Sequence, residues 1–192
     1  ADITSRNMFP PRSHDVQSAI NLLHGYAWEE TGFPRDFTQD INAHLQGLLV
    51  TSPHVKQVLA GAGIAPPIAV VGNGVDHLEL TPAPLPFAVP QAGFRILHVS
   101  SCFPRKGADV LLQAYAQTFG KGDDVCLILK THANPHNTVT EDVAALQAAH
   151  PELPPIHILF DDLTPAQMRS LYEAADLLVA PSRAEGFCLP VA

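Results

Sequence analysis

Basic side chains are scarce in this sequence: eleven Lys and Arg stand against nineteen Asp and Glu, for a formal net charge of -8. A surface for nucleic acid or for anionic lipid needs concentrated positive charge, so the balance argues against both partner classes, although a local basic cluster can still hold a phosphate. Cysteine is sparse as well. Cys102, Cys126 and Cys188 share no metal-ligand spacing, and reduced thiols in a cytoplasmic protein are the simplest reading. No signal peptide leads the chain and no apolar run is long enough to span a bilayer, which leaves at most peripheral association with the inner face of a membrane. The sequence opens on Ala1 without a methionine and is expected to lack its true beginning. Internal repeats and low-complexity tracts are absent.

What is present is apolar: 46% hydrophobic residues with 16% charged, in 192 residues, enough for one large domain or two incomplete ones. Strands and helices alternate. Ala19 to Gly25 reads as a short strand, Asp36 as a helix cap with Gln39 reaching back and Ile41, Leu45 and Leu48 on the inner face, and Leu48 to Thr51 as a second strand. Ser52-Pro53 is a cap followed by a proline start for a helix through about Leu59, ended by Gly61 and Gly63. Ile68 to Val71 is a third strand, and Asn73-Gly74-Val75-Asp76 turns out of it. Near the beginning, Arg6 to Arg12 reads as a loop because two adjacent prolines forbid regular structure.

Residues 77–92 carry Pro82, Pro84, Pro86 and Pro90, and no helical or strand period survives that density, so a linker is expected there. A second alternating series follows. Strands are expected from Phe94, Val125, Ile156 and Leu177; helices from Ala108, from a Thr138 cap with Glu141, and from a Thr164 to Gln167 capping box with Met168, Leu171, Tyr172 and Ala175 on one face. The next helix should open at Pro190, and the break two residues later suggests a truncated chain. The alternation predicts two Rossmann-like parallel-sheet domains: residues 1–76 as the later part of the first, residues 93–192 as most of the second.

The last stretch, Ala180-Pro181-Ser182-Arg183-Ala184-Glu185-Gly186-Phe187-Cys188-Leu189-Pro190, has the densest chemistry. A buried strand gives way to a carboxylate, a glycine, three residues with free amides and a proline. The amides of Phe187, Cys188 and Leu189 near a helix start suit a phosphate. Glu185 would repel one, and suits hydroxyl groups instead. Phosphate and polyol together point to a nucleotide sugar. A second anion-binding candidate is Pro104-Arg105-Lys106-Gly107, after the first strand of the second series. There Arg is a fork and Lys a point charge for a diphosphate.

Glu185-Gly186-Phe187-Cys188-Leu189-Pro190, preceded by Pro181-Ser182, resembles the donor-sugar motif of retaining glycosyltransferase family 4, of the two-domain GT-B fold. Tyr26-Ala27-Trp28-Glu29, Val50-Thr51-Ser52-Pro53, Asn73-Gly74-Val75-Asp76 and Arg105-Lys106-Gly107 are similar to family landmarks in the expected order. The resemblance implies a retaining glycosyltransferase that moves a hexose from a nucleoside-diphosphate sugar to a glycan or lipid-linked acceptor. Glu185 would hold the donor sugar; the family's second glutamate falls one position past Ala192, so ribose binding is not assigned. Lys106 inherits the diphosphate role. The family's arginine after a glycine is replaced by Ser100-Ser101: either Arg105 substitutes, or the serines donate neutral hydrogen bonds. The leaving diphosphate would be stabilised by Lys106, Arg105 and the amides near Leu189. Leu163 lies where the family packs the nucleotide base, and His24 ends a strand where the family often places a histidine near donor sugar and acceptor. No protein nucleophile is named.

Other candidates carry less. Asp161-Asp162 is a loop pair before the Thr164 cap rather than two carboxylates flanking a bond. Lys130 ends a strand that could face the same cleft. His132 and His136 are separated by Pro135, which rules out a helix presenting both to zinc, and neither a metal nor a cofactor is predicted. Gly61-Ala62-Gly63 follows a helix, not a strand, and is no dinucleotide fingerprint. A non-catalytic nucleotide-sugar-binding module and a sugar-nucleotide epimerase on the same architecture remain the alternatives.

Overall fold

In a computed structural model of the chain, the described residues are 3–6 (backbone), 18–75 and 80–192. They form two compact units. The first joins Ala1–Gly74 to Ala184–Pro190 and Ala192; the second is Val75–Arg183 with Val191. The loop expected over Arg6 to Arg12 is corrected at Arg6, which ends a strand (Ile3–Arg6); residues 7–12, and Asp76 of the turn after the third strand, lie outside the described residues.

In the first unit, β1 (Ile3–Arg6), β2 (Ile20–Tyr26), β3 (Gly47–Val50) and β4 (Ile68–Val70) make a parallel sheet in the order β1-β2-β3-β4. Helix α1 (Arg35–His44) connects β2 to β3 and α2 (Pro53–Gly61) connects β3 to β4. Leu23, Leu48 and Val50 of the strands meet Ile41 of α1 and Val55 and Leu59 of α2 in one buried cluster. Ser52 caps α2 as expected, its hydroxyl accepting from Val55 N at 3.3 Å, with Pro53 at the first helical position. The cap expected at Asp36 is corrected: Pro34 occupies that position without a side-chain bond, and the carboxylate falls in the first turn, where it still favours the positive helix end. Leu48 belongs to β3 rather than to the face of α1.

In the second unit, β5 (Phe94–Val99), β6 (Val125–Lys130), β7 (Ile156–Leu159) and β8 (Leu177–Leu178) form a parallel sheet in the order β7-β6-β5-β8. Helices α3 (Ala108–Thr118), α4 (Val139–Ala149) and α5 (Pro165–Glu173) connect them. Alternate strand residues point to opposite faces. Ile96, Leu127 and Leu129 meet α3 and α4 through Leu111, Leu112, Tyr115, Val139 and Val143. Leu97, Cys126 and Ile128 meet Leu171 of α5 on the other face. A sheet covered on both sides accounts for the near-continuous apolar runs of β5 and β6. The Thr164–Gln167 capping box forms as read, and Met168, Leu171, Tyr172 and Ala175 pack as one face. The Thr138–Glu141 cap does not: Asn137 Oδ1 accepts from Val139 N at 3.1 Å, and the Thr138 hydroxyl turns to Asp142 at 2.9 Å.

The expected linker is not loose where it is described. Ala83 N donates to Ala166 O, Ser170 Oγ to Ala83 O at 2.6 Å and Gln167 Nε2 to Pro84 O at 3.1 Å, so the proline-rich strand of chain lies along α5. Leu85 and Ala92 pack on the core cluster beneath. Among the described residues no helix is long and apolar enough to cross a membrane.

Candidate functional site

The strand order of the second unit reverses at β5. The chain moves outward from β5 to β6 and β7, then returns to lay β8 on the other side of β5. The carboxyl ends of β5 and β8 therefore form a topological switch point, the place where open parallel sheets as a class offer a crevice to ligands. Two segments border it: residues 100–107 after β5 and residues 179–183 after β8.

The first segment is built from short-range bonds. His98 in β5 is buried at 1% exposure, with Nδ1 at 2.8 Å from Val179 O and Nε2 at 2.7 Å from Ser100 Oγ. A carbonyl only accepts, so Nδ1 carries the ring proton; the neutral ring then accepts the Ser100 hydroxyl proton at Nε2. Burial, foremost, and the nearby Lys106 charge push the His98 pKa down, while the Val179 bond opposes them. Ser100 Oγ in turn accepts from Cys102 N at 3.0 Å. Cys102 is held at φ 52°, a left-handed conformation costly for a residue with a side chain. The chain then enters a 3-10 turn, Pro104–Lys106, that places Arg105 and Lys106, both half-buried, immediately before α3.

Gly107 joins the turn to α3 at φ 72°. A Cβ there would collide with the carbonyl oxygen of Pro181, so glycine is required both by the backbone angle and by the close approach of the second segment. Arg183 closes the junction. Its amide donates to Arg105 O at 2.8 Å, and its guanidinium bonds Pro104 O at 2.6 Å and both carboxylate oxygens of Asp109 at 2.9 and 2.6 Å. The Arg183 hydrogen bonds hold the Asp109 pKa below the usual carboxylate range.

Of the expected site residues, the second unit contains Ser101, Arg105, Lys106 and Leu163. Ser101 O accepts from Asn134 Nδ2 at 2.9 Å. Leu163 is half-buried against the core beside α5. Lys130 is half-buried with Nζ 2.9 Å from Thr131 O, and the His136 ring lies 5.4 Å from that of Phe103.

The first unit contains His24, Glu185, Gly186, Phe187, Cys188 and Leu189. His24 is exposed and adjoins an irregularity in the β2–β3 register, where Gly25 takes φ 59°. Gly186 is buried at the carboxyl ends of these strands: a Cβ would lie 2.7 Å from that of Ala27, and its carbonyl accepts from Thr51 Oγ1 at 3.3 Å. Phe187 reaches Gly72, Cys188 takes φ 63°, and Ala192 N bonds Cys188 O and Leu189 O in a single turn through Pro190. Glu185 is half-buried.

A cleft of about 580 Å³ also lies in the first unit, between Thr31, Gly32 and Phe33 and the face of α2 formed by His54, Gln57, Val58, Gly61 and Ala62. Trp28 Nε1 donates to Gly32 O at 2.8 Å, and the Trp28 and Phe33 rings meet edge to face at 4.8 Å, which fixes this wall. Among the described residues no Asp, Glu, Lys or Arg lines it.

Sequence reasoning missed His98, Arg183 and this cleft. The spacing of His98, Ser100 and Cys102, two residues apart each time, was the available signal for the first.

The family model for glycosyl transferases group 1 matches residues 87–192. No curated protein matches significantly. Among solved structures, sucrose-phosphate synthase from Thermosynechococcus elongatus is 19% identical with a TM-score of 0.66, covering 89% of this chain and 46% of its own. HepE of Anabaena, solved with UDP-glucose, is 16% identical with a TM-score of 0.61, covering 85% of this chain and 47% of its own. A glycosyltransferase from Rickettsia africae is 22% identical with a TM-score of 0.70, covering 94% of this chain and 51% of its own. The chain thus spans about half the length of the solved structures it matches, and the likeness is one of fold: the GT-B arrangement of parallel-sheet units.

Proposed function

We propose that this chain, which belongs to the glycosyl transferases group 1 family, takes part in transferring a hexose from a nucleoside-diphosphate sugar to a glycan or lipid-linked acceptor, with retention at the anomeric carbon. The observation that carries the reading is the crevice between β5 and β8, where Arg105 and Lys106 sit on a turn that Arg183 and Gly107 lock in place. Cations fixed in advance toward a diphosphate favour the charge that develops on its bridging oxygen, without reorganising as the glycosidic bond breaks. Glu185 accepts hydrogen bonds from donor hydroxyls, and the amides of Phe187 to Leu189 meet the phosphate. The resemblance gives His24 of the first unit a role with the sugar and acceptor, and Ser101 and Leu163 of the second unit roles with the diphosphate and the base. UDP-glucose, the ligand in HepE, is the first donor to try. The uncharged cleft beside α2, with an aromatic wall, an imidazole and a carboxamide, suits the acceptor's neutral sugar rings.

Lys106→Ala and Glu185→Ala test the reading. Each should lower transfer by about 10²-fold or more while leaving thermal unfolding near wild type. Wild-type transfer in both variants overturns the assignment. Donor binding without product would instead identify a nucleotide-sugar-binding module, and an altered donor in the absence of acceptor would identify an epimerase.

A further inference from the structure

We infer that His98 is a positioning residue for the diphosphate-binding turn, acting through Ser100 on the backbone that carries Arg105 and Lys106; the inference rests on the donor reading above and deepens it. Three contacts form one directed chain. Cys102 N–H donates to Ser100 Oγ at 3.0 Å, the Ser100 hydroxyl donates to His98 Nε2 at 2.7 Å, and His98 Nδ1–H donates to Val179 O at 2.8 Å. Cys102 Sγ, 3.6 Å from the same hydroxyl, is a far weaker acceptor than the ring nitrogen, so the proton goes to His98.

The direction matters because Ser100 has one proton. While it is given to Nε2, the oxygen lone pairs stay turned toward the Cys102 amide, and that bond holds Cys102 at φ 52°. Released, a residue with a side chain relaxes toward negative φ, and the 3-10 turn begins two residues further along a redirected backbone. The far end of the same chain is Val179, which follows β8 and leads to the segment that Arg183 pins against Arg105. A single buried imidazole therefore ties both borders of the crevice. On this reading the Ser100 proton is committed within the protein, to His98.

Substitutions at His98 separate this role from simple packing. Phe keeps the ring's volume and loses both polar atoms; Gln keeps an acceptor near the Nε2 position; Asn keeps only a donor near Nδ1. The positioning role predicts that Gln retains most donor affinity while Phe and Asn lose about tenfold, the effect of one net hydrogen bond. A packing role predicts the reverse, with Phe closest to wild type. Two measurements are made on the whole chain: binding of UDP-, GDP- and ADP-glucose by calorimetry, and hydrogen exchange of the Cys102 amide. Exchange should be about tenfold faster in His98→Phe than in His98→Gln or wild type. Ser100→Ala, which removes the middle of the chain without touching the core, should reproduce the His98→Phe result and serves if His98 variants fold poorly. Equal Cys102 exchange in wild type, His98→Phe and Ser100→Ala, or tighter donor binding by Phe than by Gln, overturns the inference. If the wild type binds none of the three sugars the donor reading fails instead, and the exchange rates still decide whether His98 holds the turn.

Discussion

Replacing Gly107 with alanine tests whether the two borders of the crevice must approach as closely as they do. At φ 72° an alanine pays roughly 1–2 kcal/mol for the left-handed conformation. Its Cβ meets the Pro181 carbonyl, a backbone atom that moves only if the segment after β8 moves. The bond from Arg183 N to Arg105 O then lengthens or breaks, for about another 1 kcal/mol. Against these stands the reduced freedom of the unfolded chain, about 0.4–1 kcal/mol in favour of alanine. The net expectation is a loss of about 2 kcal/mol, or roughly 4–8 °C in Tm for a chain of this size. Thermal unfolding measures the first part. Donor titration measures the second: affinity should fall more than for Gly120→Ala, where a Cβ meets nothing within 4 Å. A Gly107→Ala protein with unchanged Tm and unchanged donor affinity would refute the close-approach argument.

Other outcomes follow from the same contacts. His98 has a folded-state pKa below its unfolded value, so its contribution to stability is complete above about pH 6.5 and declines as pH falls toward the folded pKa. Melting curves from pH 8 to 5 should show wild type losing stability faster than His98→Gln on the acid side; parallel curves would contradict this. Thr164→Ala removes the hydroxyl that accepts from Gln167 N in the α5 capping box, leaving the backbone half in place, and should cost about 1 kcal/mol by chemical denaturation. Gly61→Trp places a large side chain where a Cβ meets nothing within 4 Å, on the wall of the uncharged cleft. It should raise the acceptor KM while leaving donor affinity unchanged, and an unchanged acceptor KM would remove the cleft from the proposal.

Much of the fold is legible because its signals are local. β5 and β6 read as strands from unbroken apolar runs, and the Thr164 box from a hydroxyl, a proline and a glutamine within four positions. The misread caps fail by one or two residues. Asn137, just ahead of Thr138, accepts from Val139 N at the helix start, and the threonine hydroxyl bonds Asp142 instead. At α1 the fixed φ of Pro34 starts the helix before Asp36. Within the candidate site, Lys106 and Glu185 stand out by residue type beside glycines, and the roles given to them are proposals. His98 does not, because a histidine within an apolar strand has no visible partner until β8 returns to place Val179 beside it, 81 positions later. The docking of Gly186 on Thr51, 135 positions apart, is equally beyond any local pattern.

The membership of the first unit has a consequence for how the molecule comes apart. Because Ala184–Pro190 belongs with Ala1–Gly74, the polypeptide leaves the first unit near residue 74 and returns to it near residue 183. A protease that nicks the chain just after Gly74 would sever one passage and leave the other intact. The amino-terminal piece would stay gripped by the Gly186 plug against Thr51 and Ala27, and the two products would co-elute under native conditions and part only in denaturant.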